Sequence, residues 1–137
     1  AFHKLEVYLY GDATGGAGNT KSVDGSDWDI VRSILKPVFR ERLKDRVRRS
    51  NPLERVRVNA VNARLMTADG KIHLLVDPVN ANELAEDFDS VTMIEGGSGE
   101  IDKHMDGMRT HISDALGYLI ADKYPLVSES MVESTIY

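Results

Sequence analysis

Residues 4–12 read KLEVYLYGD, an apolar run rich in aromatic residues that ends on a Gly-Asp pair. This composition and the turn chemistry at its end predict a strand over residues 4–11. Side chains alternate along a strand, so Leu5, Val7 and Leu9 share one face, while Glu6, Tyr8, Tyr10 and Asp12 share the other. Asp12 therefore falls at the strand's C-terminal end. The Gly-rich ATGGAGNTKSVDGS (13–26) makes a long loop. DWDIVRSILK (27–36) then predicts a helix with Trp28, Val31, Ile34 and Leu35 as its apolar side, Ser26 or Asp27 as its cap, and Pro37 to disturb its end. RLKDRVRR (42–49) alternates weakly, as a strand carrying Lys44, Arg46 and Arg48 on one face.

The pattern continues downstream. Asn51-Pro52-Leu53-Glu54 has the form of a capping box, with an N-cap side chain, proline at the first helical position and Glu54 three residues after the cap, and predicts a helix to about Met66. ADGK (68–71) turns the chain, and IHLLVDP (72–78) predicts a short buried strand stopped by Asp77-Pro78. NANELAEDFDSV (80–91) predicts a helix capped by Asn80 or Asn82. After the loop EGGSGEIDKHMDGMR (95–109), THISDALGYLIADKY (110–124) predicts a helix with Ile112, Ala115, Leu116, Leu119 and Ile120 as its core stripe. Strands alternating with helices argue for an α/β fold in which helices pack on a sheet. Ligands in such sheets sit beyond the carboxyl ends of strands, where Asp12 and Asp77 both fall.

A chain of 137 residues, 42% hydrophobic and 28% charged, can bury one core, so residues 1–126 are read as one domain and 127–137 as a polar C-terminal tail. It has no apolar run of membrane-spanning length, and AFHKLEVYLYGD lacks the basic start and apolar core of a signal peptide, so a soluble intracellular protein is expected. The absence of cysteine excludes disulfides, thiol nucleophiles and thiolate metal sites, leaving oxygen and imidazole as possible ligands and favouring hard cations. The net charge of -5 is unevenly spread. Arg40, Arg42, Lys44, Arg46, Arg48, Arg49, Arg55 and Arg57 stand against only Glu41, Asp45 and Glu54 between residues 40 and 57. Such a strip is either a phosphate-contacting surface or an ordinary solvated face.

Three constellations carry chemistry. GGAGNTKS (15–22) is one residue short of a phosphate-binding P-loop, with Thr20 where the second glycine belongs, and the helix needed at Lys21-Ser22 is replaced by Val23-Asp24-Gly25. Asp12 and Asp114 are the best-placed carboxylate pair, one ending the first strand and the other in the first turn of the last helix. Apposed carboxylates repel unless a cation compensates them. The plain alternative is a turn cap at Asp12 and a helix-dipole role at Asp114. His111, three residues before Asp114 and on the same helical face, is either a cap or packed side chain, or a group that binds metal, orients the carboxylate or shuttles a proton.

The segments YLYGDATGGAG, SDWDIV, RSNPLERVRVNAVNARL, LLVDP and THISDALGYLI, taken in this order from about Val7 to Leu119, resemble the nuclease domain of bacteriophage terminase large subunits. The strongest match is H-x-x-D-A at His111 to Ala115 followed by Gly117-Tyr118, reinforced by the Gly-Asp that ends the first strand. The resemblance implies an RNase H-like mixed central sheet flanked by helices, and a two-metal-ion endonuclease that cuts concatemeric double-stranded viral DNA with Mg²⁺ or Mn²⁺ during genome packaging. It implies Asp12 and Asp114 as metal ligands, with His111 as neighbour of the latter at the catalytic site. It also implies the ATPase motor, the portal and the small terminase subunit as partners in the host cytoplasm. The family's motor has no room in this chain, which leaves the nuclease part.

The sequence departs from the family at the middle acidic ligand, where Arg49-Ser50-Asn51 stands. Glu54 is the nearest acid, and Asp27 and Asp77 are further candidates, each with an equally plain role in a cap or turn. On this reading Arg46, Arg48 and Arg49 contact the DNA backbone. Two other readings are a DNA- or portal-docking module that does not cleave, and a P-loop nucleotide-binding domain that uses Lys21.

Overall fold

A computed structural model of the chain describes residues 5–16, 25–90 and 111–126. Its contacts divide into two compact units, residues 1–51 and 52–137. The expected loop at 95–109 and the tail at 127–137 lie outside the described residues.

In the first unit the order is β1 (Val7–Leu9), a 3-10 turn at Ala13–Gly16, α1 (Asp27–Phe39), a 3-10 turn at Arg40–Arg42 and β2 (Leu43–Asp45). The strands pair in parallel, with Val7 opposite Leu43, Tyr8 opposite Lys44 and Leu9 opposite Asp45. Parallel strands need a crossover, and α1 supplies it. Asp45 shares a face with Leu43, and its carboxylate accepts a 2.6 Å bond from Arg32 Nε of α1, so the helix lies over the half-buried Val7, Leu9 and Leu43. The α/β class is thus present as a strand-helix-strand unit, and among the described residues the sheet has two strands.

Helix α1 starts where expected. Ser26 and Asp29 form a reciprocal capping box, in which each side chain accepts from the other residue's backbone N–H. Two expectations for this helix are corrected. It runs through Pro37 to Phe39, since a proline so close to the end removes only one of the last helical bonds. Ile34 is 63% exposed, while Trp28, Val31 and Leu35 form the half-buried side.

The second unit is helical among the described residues: α2 (Glu54–Leu65), α3 (Asn82–Ser90) and α4 (His111–Lys123). Its core joins Ala60 and Val61 of α2 to Ile120 and Ala121 of α4, with Leu65, Phe88, Leu116 and Leu119 packed around them. The core stripe expected on α4 is rotated. Ile112 and Ala115 are exposed, and the buried face is Gly117, Ile120 and Ala121, because small residues let α4 lie close against α2. The expected strand 72–78 is not formed. Ile72 and Leu75 are 58% and 84% exposed, and the segment's backbone is tied by His73 N–H to the Arg64 carbonyl and by Ala81 N–H to the Asp77 carbonyl. An apolar run becomes a strand only where a sheet edge receives it. The turn at 68–71 forms as expected, with Gly70 at φ 79°, a conformation open to glycine, and Gly70 N–H bonded to the Thr67 carbonyl.

Candidate functional site

In the first unit Asp12 stands just beyond the carboxyl end of β1, at the head of the 3-10 turn. Its Oδ1 accepts three bonds of 2.7 Å, from the Thr14 backbone N–H, the Thr14 hydroxyl and Asn51 Nδ2. Asn51 closes a second link by accepting from Ala13 N–H at 2.8 Å. Trp28 fixes the same loop from α1. Its indole N–H donates to the Asp12 carbonyl at 2.6 Å, and its ring fills the space where side chains at residues 11 and 15 would be. A Cβ on Gly11 would meet the ring at 2.4 Å, and one on Gly15 would meet Nε1 at 2.8 Å. The glycines of this loop thus admit the tryptophan. For the P-loop reading, Gly15 and Gly16 belong to a turn packed on Trp28, and residues 17–22 lie outside the described residues.

The Asn51 capping box is a correction. Helix α2 begins at Glu54 after Leu53 as its cap residue, because the Asn51 side chain is committed to Asp12 and Ala13. Glu54 is the first helical residue and half-buried. Asp27 is the first residue of α1 and exposed. Asp77 makes a turn, accepting from Val79 N–H, Asn80 N–H and Asn80 Nδ2. The Asn80 side-chain bond and those two amide bonds hold its carboxyl below the usual carboxylate range. This fixes Asn80 to the turn, while Asn82 is already the first residue of α3.

In the second unit Asp114 lies in the first turn of α4, on the face that packs against α2. Its Oδ1 receives Arg57 Nη1 at 2.6 Å. The Arg57 side chain is only 7% exposed and that of Asp114 20%. Arg57 also lies over the Tyr118 ring, 4.4 Å from its centroid, and Gly117 leaves it room, since a Cβ there would stand 3.4 Å from the Arg57 Cβ. Its buried Nε has no hydrogen-bond partner. Arg57 therefore leaves the expected basic strip: its spacing puts it with Ala60 and Val61 on the buried side of α2. Ser113 N–H of α4 donates to buried Asp87 of α3 at 3.0 Å, so a carboxylate from another helix caps this terminus. His111, the first residue of α4, is exposed.

Arg46, Arg48 and Arg49 are exposed after β2 in the first unit. Arg46 continues the pairing through its N–H to the Leu9 carbonyl at 2.8 Å. The open face of the two strands thus places Glu6, Tyr8 and Tyr10 beside Lys44 and Arg46; the two tyrosines stack at 6.5 Å, and Lys44 pairs with Glu6 at 3.6 Å.

Sequence reasoning missed Asn51, Trp28, Asp87 and the true role of Arg57. Only Arg57 left a signal, its helical register with Ala60 and Val61 on α2. Carboxylate oxygens suit Mg²⁺ or Mn²⁺, and neither Asp12, in the first unit, nor Asp114, in the second, is fully buried. No group of three His, Asp or Glu side chains placed to hold an ion occurs among the described residues. Nor does any described helix have the length and apolarity to cross a membrane. Compared with known proteins, the chain matches no family model, no curated sequence and no solved structure.

Proposed function

We propose that the chain is a metal-dependent endonuclease domain of a phage DNA-packaging terminase, cutting concatemeric double-stranded DNA by phosphodiester hydrolysis. The observation that carries this reading is Asp12. It stands at the carboxyl end of a parallel strand, the usual ligand position of α/β sheets, held by Thr14 and Asn51 in a loop braced by Trp28. A carboxylate fixed so firmly at an exposed loop suits a metal ligand, because the geometry of coordination is set before the ion arrives. The resemblance of its surrounding sequence and of His111 to Gly117 supplies the rest: an RNase H-like mixed central sheet of which β1 and β2 are part, Asp12 and Asp114 as ligands, and two Mg²⁺ or Mn²⁺ ions. When bound, such ions activate water and stabilise the leaving oxygen. Glu54 remains the nearest acid for the middle position, and His111, exposed at the start of α4, is free of the core to face substrate.

Arg46, Arg48 and Arg49 would contact the DNA backbone, which positions a duplex without reading its bases. The motor, portal and small terminase subunit are the implied partners, and the host cytoplasm the implied place. A second reading, a DNA- or portal-docking module that does not cleave, is favoured by one observation: Asp114 already has a buried cation in Arg57. Nicking of supercoiled plasmid separates the two. The nuclease reading expects open-circular and linear products with Mn²⁺ or Mg²⁺ and none with EDTA. Binding of DNA without cutting under any of these conditions gives the place to the docking module.

A further inference from the structure

The geometry points to the face of β1 and β2 opposite α1 as a platform for an unpaired nucleic-acid strand, on which Tyr8 and Tyr10 stack with bases while Lys44 and Arg46 hold phosphates. This goes beyond the reading above, which gives the arginines a duplex backbone and the tyrosines no part, and it holds whether or not the chain cuts DNA.

The register of the strands builds this face. Helix α1 lies over Val7, Leu9 and Leu43, and side chains alternate along a strand, so Glu6, Tyr8 and Tyr10 belong to the other side. Tyr8 stands opposite Lys44, and the bond from Arg46 N–H to the Leu9 carbonyl carries the pairing one step on, which sets Tyr10 beside Arg46. Two aromatic residues on one strand thus adjoin two cations on its neighbour. The tyrosine rings are near-parallel, with planes 15° apart and centroids separated by 6.5 Å. That separation is close to the two-residue repeat of a strand, about 6.6 Å, so the rings follow one another along β1. Tyr8 is 41% exposed and Tyr10 half-buried, while Arg46 is exposed.

Rings and cations have separate parts. Every base has a π-face, so aromatic side chains beside a basic track bind single strands with little regard to sequence. In a duplex the base faces are already stacked on one another, and the phosphates are what such a surface reaches. The rings therefore favour the unpaired strand, whereas the cations serve both. Glu6 shares the face, accepting from the Tyr8 hydroxyl at 2.6 Å and pairing with Lys44 at 3.6 Å. The first of these bonds engages the hydroxyl and not the ring. The second joins two part-exposed side chains, and an ion pair in that setting is worth little, so Lys44 can pass from Glu6 to a phosphate.

The test is binding of the whole chain to a short fluorescein-labelled oligothymidylate and to a duplex of equal length, read by fluorescence anisotropy at one salt concentration. Losing one stacking contact weakens single-strand binding by about fivefold or more. Tyr10→Ala is expected to show that loss on oligothymidylate and none on the duplex, and Tyr10→Phe to keep the wild-type affinity. Glu6→Gln releases Lys44 and should bind the oligothymidylate more tightly; a complex no tighter than the wild type's overturns the phosphate role given to Lys44. Unchanged single-strand binding by folded Tyr10→Ala, a loss of equal size on the duplex, or a wild type that does not bind the oligothymidylate overturns the platform. Should Tyr10→Ala not fold, the wild type is titrated with an abasic oligonucleotide of the same length, which keeps the phosphates and lacks the bases. Binding weaker by about fivefold or more is then expected, and equal binding refutes stacking. None of these readouts involves cleavage, so the nuclease reading stands or falls separately.

Discussion

Removing the Asp114 carboxylate should unfold the second unit more readily than its place near a helix end suggests. Arg57 has 7% of its side chain exposed, and Asp114 is its ion-pair partner at 2.6 Å. Breaking a buried pair by deleting one partner costs about 3–5 kcal/mol, because the other charge is left uncompensated. Asp114 is 20% exposed and water can reach its place, so the lower end, about 3 kcal/mol, is expected for Asp114→Ala. With a urea m-value of about 1–3 kcal/mol/M, the unfolding midpoint followed by helical circular dichroism falls by at least about 1 M. The decisive comparison adds Arg57→Met. This removes the orphaned charge and keeps an apolar stem between Ala60 and Gly117, so the double variant should be more stable than Asp114→Ala alone. A loss under about 1 kcal/mol for Asp114→Ala, or a double variant whose losses simply add, would refute the buried-pair account. A practical consequence follows for activity measurements: loss of cleavage in a variant of Asp114 has a structural explanation beside the chemical one.

Other expectations are accessible to simple assays. Gly11→Ala places a methyl group 2.4 Å from the Trp28 ring. The indole must move, with a cost of about 1–3 kcal/mol, and the fluorescence of this sole tryptophan should shift to the red; an unchanged spectrum contradicts the packing. Ser26→Ala should cost about 1 kcal/mol through loss of the α1 cap. The Ser26 side-chain bond lowers the Asp29 carboxyl below its usual 3.8. The stability it contributes is therefore fully present above that value and is lost as pH falls through the lower folded-state value. The Ser26→Ala variant should have a flatter acid limb in its stability profile than the wild type. Paired Arg46→Ala and Arg48→Ala should weaken DNA binding and reduce the slope of log affinity against log salt by about 1–2; an unchanged slope removes these arginines from the interface.

The readings that held rest on local chemistry. Ser26, one of the two caps expected for α1, caps it through bonds with a residue only three positions on, and the helices at 54–65, 82–90 and 111–123 fall within the expected segments. The strand at Val7–Leu9 was legible for the same reason. The misread features depend on partners distant in sequence. Asn51 has the spacing of a capping box, yet its amide satisfies Asp12, 39 residues earlier. Residues 72–78 have strand composition and stay exposed. On α4, hydrophobicity points to Ile112 and Ala115, whereas the packed face holds Gly117 and Asp114, because the facing helix presents an arginine that needs room and a counter-charge. Of the candidate site, the placement of Asp12 at a strand end could be read directly. The burial of Arg57 could be found only from its register with Ala60 and Val61 on α2.

The measurement that bears most directly on the nuclease reading compares wild type with Asp12→Asn on supercoiled plasmid in Mn²⁺, Mg²⁺ and EDTA. Asparagine keeps an oxygen to accept from Thr14 and Asn51, so the loop and the Trp28 fluorescence should be preserved while the negative charge is lost. The account predicts metal-dependent nicking and linearisation by the wild type and their loss in Asp12→Asn. Equal cutting by the two proteins, or a folded wild type that never cuts with either metal, would contradict it.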